Sequence, residues 1–475
     1  HPFFLATPLL ILYSVDRISP EKTEFSMAKI VPFRGLRYNP EKLENPAAVM
    51  APPYDAISPE EQESLYQASP FNIVRLILAK TSAGDVPGDD RYSRAAADFQ
   101  AWQEEEVLVR DPEPSLYLYD QSYVGMDGQE LVRRGIIALA RVEELSSGVV
   151  KAHEKTLSGP KTDRMRLTLA CGANFSPIFA LYGDPCCALE SLTHKVRDNR
   201  PDLEVPDQDG NKHRLWRVAD ESAIHKAQEL LGKKPLFIAD GHHRYETALA
   251  YRNLMREKHP DFSGKELFNF VLMYFSNTED RGLTLRPIHR LVANLPGFEL
   301  PSVLKALTAF FQVDRYEVLM EGDSPAENVL KILRGKGANS RTLGLYGGGD
   351  QVFLLSLKDP KVMDRFFDEK ASKVLKTLDV SILHRLIFEH LLGIAPEAQD
   401  QQTHLRYLEY PDRAMAKVRG GEAQMAFLMN PTSLSEVRDV ANSGEKMPPK
   451  SSFFYPQLLT GLVINKIVEG ERAGE

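Results

Sequence analysis

Residues 235–254, PLFIADGHHRYETALAYRNL, constrain the fold of this chain more than any other stretch. The apolar run Leu236, Phe237, Ile238 and Ala239 reads as a short buried strand. Gly241 then lets the backbone turn where a Cβ would clash. Tyr245, Ala248, Leu249 and Tyr251 fall at helical spacing, so the turn opens directly into an amphipathic helix. His242, His243 and Arg244 therefore occupy the first helical turn. Free backbone N–H groups and the positive end of the helix dipole favour an anion there. An arginine at that place can fork two hydrogen bonds onto a phosphate. The same pattern also describes a solvated helix start, so the turn alone names no reaction. Adjacent histidines point about 100° apart on a helix, which disfavours a shared metal ion.

With 475 residues, 43% of them hydrophobic and 26% charged, the chain can build two or three ordinary globular domains. A net charge of −8 argues against a nucleic-acid partner. The three cysteines, Cys171, Cys186 and Cys187, include an adjacent pair and form no disulfide framework, as expected in a reducing cytoplasm. Residues 1–26 begin with the apolar HPFFLATPLLILYSV, which lacks a basic flank and is interrupted by Pro8. This segment is too short to cross a bilayer comfortably. From Met27 the text reads as a normal cytoplasmic start. Residues 1–26 are thus expected to be a non-native or disordered extension, with a weak signal anchor as the rival, and no membrane partner is expected.

Strand-like and helix-like segments alternate along the chain, which predicts an α/β (α+β) fold. Residues 27–145 read as a first α/β segment. Ser58, Pro59 and Glu61 carry the capping signature of a helix start. A helix follows near 93–106, and LYLYDQSYV and GIIALARV read as strands around a turn at Gly125–Gly128. Residues 146–299 hold the strand-turn-helix and the buried strand FNFVLMYFSN. Residues 300–420 read as a separate α/β segment, with helices near 301–311 and 379–392. Residues 421–475 add the strand AQMAFLMN, a helix, and the turn MPPKSS, which as a plain surface turn would lead into a last helix.

Several further groups carry chemistry. In KAHEKT, His153 and Glu154 lie beside lysines, and a carboxylate among cations stays ionised yet accepts a proton from a well-placed hydroxyl. The bland reading is a charged, solvated loop. MPPKSS presents Lys450, Ser451 and Ser452 from a rigid Pro-Pro turn, either to grip phosphate or carboxylate oxygens or simply as a surface turn. Asp55 in APPYD is an acid, a metal ligand or, preferably, a turn residue. His289 and Arg290 end a strand as pocket lining or structural pairing. His384 and His390 lie in an apolar helix and read as core or interface groups. Walker A, GxSxG, GxGxxG, HExxH and CxxC patterns are all missing from the sequence, which removes most of the weight from P-loop kinase and zinc-hydrolase readings.

From Met27 onward the chain resembles the bacterial family known as domain of unknown function 1015. The resemblance rests on APPYDAISPEE, NIVRLIL, HEKT, KTDR, ADGHHRYETAL, PIHRL, LDVSILHRLI and MPPKSSFFYP. More distantly, AHEKT, ADGHHRYETAL and MPPKSS resemble, in that order, three blocks of the ParB-like free L-serine kinases. That resemblance implies a ParB/sulfiredoxin-like nucleotide-binding core at 146–299, with additional segments before and after it, and residues 421–475 completing the site. It further implies Glu154 as the base toward a serine hydroxyl, with Asp240 beside the transferred group. Gly241, His242, His243 and Arg244 would bind the nucleotide phosphates. Lys450, Ser451, Ser452 and His153 would hold the substrate. The implied cofactors are ADP or ATP with Mg²⁺, and the partner is a small metabolite. About 120 residues before HEKT and the long Glu154–Asp240 spacing depart from the compact kinases. A non-catalytic nucleotide-sensing regulator and a nucleotide hydrolase without an acceptor are the alternative activities.

Overall fold

A computed structural model describes residues 28–318, 324–337 and 340–474. The expectation for residues 1–26 lies outside these. The architecture is mixed α/β, built on two large sheets. In the first sheet the order is Val150–Lys151, Leu236–Asp240, Ile178–Tyr182, Phe270–Asn277, Glu130–Arg141, Leu116–Val124, Lys212–Val218 and Leu203–Pro206, with Ile30–Val31 joining Glu130–Arg141. Only two of its pairings are parallel, Leu236–Asp240 with Val150–Lys151 and Phe270–Asn277 with Ile178–Tyr182.

Side chains alternate across this sheet with period two, and the two cores follow the alternation. Tyr117, Tyr119, Ile137, Leu139 and Leu272 pack on one face, while Leu116, Leu118, Ile136, Ala138 and Met273 pack on the other. A strand covered on both faces has no polar side, which is why Phe270–Asn277 is buried throughout its length. Helix Arg91–Glu104 covers the first face through Tyr92, Ala95, Phe99 and Trp102. Helices Glu221–Gly232 and His242–Lys258 contribute Ile224, Ala227, Leu231, Tyr245 and Ala248 to the second.

The second sheet is antiparallel throughout, in the order Phe311–Glu317, Gln351–Leu357, Thr342–Tyr346, Met425–Leu428, His289–Val292, Leu405–Leu408. It too has a core on each face. These sheets redraw the sequence-based divisions. Strands on both sides of residue 145 hydrogen-bond within the first sheet, and strands from 289–292 to 425–428 share the second. Boundaries at 145, 299 and 420 do not separate units, because strand pairing ignores proximity in sequence.

Local expectations fare better. Helix Pro59–Ala68 has the full Ser58–Glu61 capping box, and strands Leu116–Val124 and Glu130–Arg141 form the expected hairpin. The expected helix near 379–392 begins at Asp379–Ser381 and widens into a π-helical segment, Ile382–Leu391. His384 lies in its buried face, with Nδ1 2.7 Å from Gln399 Oε1, as a core histidine. After MPPKSS comes a strand, Phe453–Tyr455, paired with Thr284–Arg286, and among the described residues no helix follows it. The last strand, Asn465–Lys466, returns to pair with Ala173–Asn174 beside the first sheet. No helix among the described residues is long and apolar enough to cross a membrane.

Candidate active site

The strand Leu236–Asp240 ends at Asp240, and Gly241 makes the turn at φ 89°, in the left-handed region. A Cβ at Gly241 would also meet the Arg244 guanidinium at 2.9 Å, but that is the end of a flexible side chain, so it is the positive φ that calls for glycine. Helix His242–Lys258 has no side-chain cap. Its first internal bond is from the Tyr245 N–H to the Gly241 carbonyl at 2.9 Å, which leaves the N–H groups of His242, His243 and Arg244 for other partners. The Tyr245 hydroxyl donates to the Glu143 carbonyl at 2.7 Å and accepts from the Glu143 N–H at 3.0 Å, pinning the helix start to the sheet.

The HEKT and MPPKSS segments lie side by side. Met447 N–H donates to the His153 carbonyl at 2.7 Å, and Lys155 N–H donates to the Met447 carbonyl at 3.0 Å. Glu154 Oε2 then accepts from the Ser451 N–H at 3.1 Å. His153 Nε2 lies 2.8 Å from Ser452 Oγ. The Lys450 backbone is left-handed (φ 57°), and its carbonyl is gripped at 2.8 Å by Arg290, a guanidinium only 1% exposed. Arg290 is therefore structural. His289 is structural too, since its Nδ1 accepts from the Met429 N–H at 3.1 Å.

Burial sets the electrostatics. It pushes the Glu154 carboxyl up to about 7, against the opposing pull of the Lys450 and Ser451 N–H groups and the Lys450 charge. It pushes His153 down to about 4 and His242 well below the ordinary histidine value, so both imidazoles are neutral near pH 7. Asp55 pairs with Lys450 Nζ at 3.0 Å. Burial opposes the Asp55 charge, but Lys450 and Arg244 outweigh it and hold the carboxyl well below the usual range. Burial likewise opposes the Lys450 charge, and Asp55, with Asp240 and Glu154, overcomes it and raises the ammonium.

Glu154, Asp240, Gly241, His242, His243, Arg244, Lys450 and Ser452 all line one cleft. Two expected site residues stand behind it. The Ser451 hydroxyl donates to the Pro448 carbonyl at 2.6 Å, and His153 packs edge-on against His242 with ring centres 4.6 Å apart. The turn differs from expectation in detail. Arg244 does not reach into open space but folds back onto the Pro177 carbonyl and onto Asp240 at 2.5 Å. His243 Nε2 accepts from the Leu157 N–H at 2.8 Å and so anchors the end of the HEKT loop. His242 is buried, and its Nε2 has no hydrogen-bond partner. Sequence reasoning passed over Asp55 as a turn residue and missed Tyr54, Glu409 and Gln457, which also line the cleft. The Pro-Pro turn before Asp55 was the one available signal; Glu409 and Gln457 carry none.

The cleft itself holds about 40 Å³, room for only about three waters at roughly 10–15 Å³ each. Through Asp55, Glu409, Phe453 and Gln457 it continues into a groove of about 690 Å³. A space of about 300–1,000 Å³ is the usual size for a small-molecule site. Among the described residues no group of three or more His, Cys, Asp or Glu is placed to hold a metal ion.

A family described as protein of unknown function (DUF1015) matches residues 30–381. The chain belongs to this family. The matched region includes Asp55, Glu154 and the Asp240–Arg244 turn, whereas Lys450 lies beyond it. No curated protein matches the sequence. Among solved structures, a conserved hypothetical protein from Pyrococcus furiosus is similar at 16% identity and a TM-score of 0.32, over 68% of this chain and 92% of that one. A free serine kinase in complex with AMP is similar at 14% identity and a TM-score of 0.33, over 67% and 86%. C-terminally truncated SbnI from Staphylococcus aureus follows at 10% identity and a TM-score of 0.31, over 68% and 85%.

Proposed function

We propose that the cleft transfers a phosphoryl group from ADP or ATP to the hydroxyl of free L-serine or a similar small metabolite. The observation that carries this reading is the convergence of Glu154, the Asp240–Arg244 turn and Lys450 on one cleft. A carboxyl near pH 7 is suited to general-base work, since it is deprotonated in useful amount yet basic enough to draw a proton. Glu154 takes the proton of the acceptor hydroxyl as the new oxygen–phosphorus bond forms. The bond from the terminal phosphorus to its bridging oxygen breaks, and that oxygen keeps the electron pair, so the nucleotide leaves one phosphate shorter.

Phosphoryl transfer asks a protein mainly for positioning and for neutralising the equatorial oxygens. The N–H groups of His242, His243 and Arg244 supply donors at a helix start, and Lys450 supplies a fixed positive charge. Arg244 and Lys450 are held by Asp240 and Asp55 until phosphate oxygens compete for them. The adjoining groove gives the room that the cleft lacks. Asp55 and Asp240 provide the hard oxygens that suit a Mg²⁺ carried by the nucleotide, which characteristically uses one or two carboxylates. Such an ion would neutralise charge on the transferred group.

The test is incubation of the full chain with ADP or ATP, Mg²⁺ and L-serine, followed by detection of phosphoserine. Nucleotide binding without phosphorylation of serine or other small hydroxyl acceptors would replace this reading with a nucleotide sensor. Release of inorganic phosphate with no phosphorylated acceptor would replace it with a hydrolase.

A further inference from the structure

The paired segments that hold Glu154 and Lys450 have a second side. In extended chain, neighbouring side chains point to opposite faces. Lys155 accordingly lines a different cavity, of about 700 Å³, together with Lys446, Pro448, Arg365, Lys370 and Arg385. This cavity shares no residue with the cleft. Five cations line it against two carboxylates, Asp368 and Glu445, in a chain whose net charge is −8.

Some of these charges are already committed. Arg385 pairs with Glu389 at 2.8 Å and Lys446 with Glu246 at 3.0 Å. Glu445 accepts from the Ser372 N–H and the Ser443 hydroxyl, both at 2.8 Å. Lys155, Arg365 and Lys370 have no ion-pair partner among the described residues. Ser381 also lines the cavity; it is 1% exposed, and its hydroxyl has no hydrogen-bond partner. A buried hydroxyl in that condition costs free energy unless something satisfies it. Ser381 stands where the helix widens into the π segment, a distortion often found at functional sites.

We propose that this cavity binds a small molecule bearing a phosphate. Arg365 supplies a fork for two oxygens, and Lys155 and Lys370 supply point charges. Three uncommitted cations against the one uncommitted carboxylate, Asp368, match the nearly double charge of a phosphomonoester better than the single charge of a carboxylate. The site stands independently of the kinase reading, because no cleft residue takes part in it.

The test is calorimetric titration of the full chain with glycerol 3-phosphate and, separately, with inorganic phosphate. Saturable binding is expected. The double variant Arg365→Glu, Lys370→Glu should weaken it at least about tenfold, since charge-assisted bonds are lost and repulsion added. Lys450→Met, in the cleft, should leave it unchanged. Equal affinity for the two probes would identify free phosphate as the ligand, and tighter binding of glycerol 3-phosphate would identify a phosphomonoester. Either the absence of saturable binding or a loss confined to Lys450→Met would overturn the proposal.

Discussion

At the Asp240–Arg244 turn, the groups that reach the cleft come from consecutive residues, whereas Glu154 is held there by Ser451, 297 residues away. The turn is built from local rules: a strand that ends, a glycine at positive φ and an uncapped helix. The carboxyl is built from tertiary pairing, in which His153 and Lys155 exchange main-chain bonds with Met447. The difference teaches where each half is vulnerable. A local motif fails when its own backbone is altered. An assembled one fails when its distant partner moves, and only burial in the assembled fold gives Glu154 its raised pKa.

The two halves can be separated by substitution. Glu154→Gln removes the base but no phosphate donor, so turnover should fall by about two to four orders of magnitude with nucleotide affinity retained. Unimpaired phosphoserine formation by that variant would sink the assignment. Arg244→Ala acts on the other half and should weaken nucleotide binding by about ten- to a hundredfold, consistent with losing a charge-assisted hydrogen bond. Equilibrium titration of the nucleotide measures it, and unchanged affinity would move the phosphate site elsewhere.

Gly241→Ala tests how strictly the turn is local. The φ of 89° should cost about 1–3 kcal/mol of stability, read from denaturant unfolding. A neutral outcome would show that the turn relaxes without harm.

Acid and base should affect the two carboxyls in opposite senses. The folded Glu154 binds its proton more tightly than an ordinary carboxyl, with a pKa near 7 against 4.5. Its contribution to stability is therefore full below about pH 4.5 and is lost as pH rises through about 7, while turnover rises over the same interval. Asp55, held below the usual range, contributes stability above its ordinary value of 3.8 and loses it as pH falls further. Unfolding midpoints measured from pH 4 to 8 check the first trend, and the slope between pH 4.5 and 7 should flatten in Glu154→Gln.

Much of the local structure was legible in residue order. The Ser58 capping box, the 116–141 hairpin, the buried strand at 270–277 and the Gly241 turn each depend on neighbours within a few positions. The pull of Pro177 on Arg244 was not legible, because that carbonyl lies 67 residues away, just before another strand of the sheet, whereas the Asp240 contact is local. Nor was Asp55, whose role depends on Lys450, 395 residues further on. The expected domain boundaries failed for a related reason. Composition marks linkers, but hydrogen bonding between strands decides what counts as one sheet.

By itself, the sequence determined the α/β class, the strand-turn-helix with its uncapped N–H groups, and the residue types suited to phosphate chemistry. Those follow from periodicity and backbone sterics, which act over a few residues. Tertiary structure alone decided that Glu154, Asp240, Asp55 and Lys450 share a cleft and that Lys155 faces a separate basic cavity. Burial and long-range pairing set both charge state and direction, and neither is a property of a short segment.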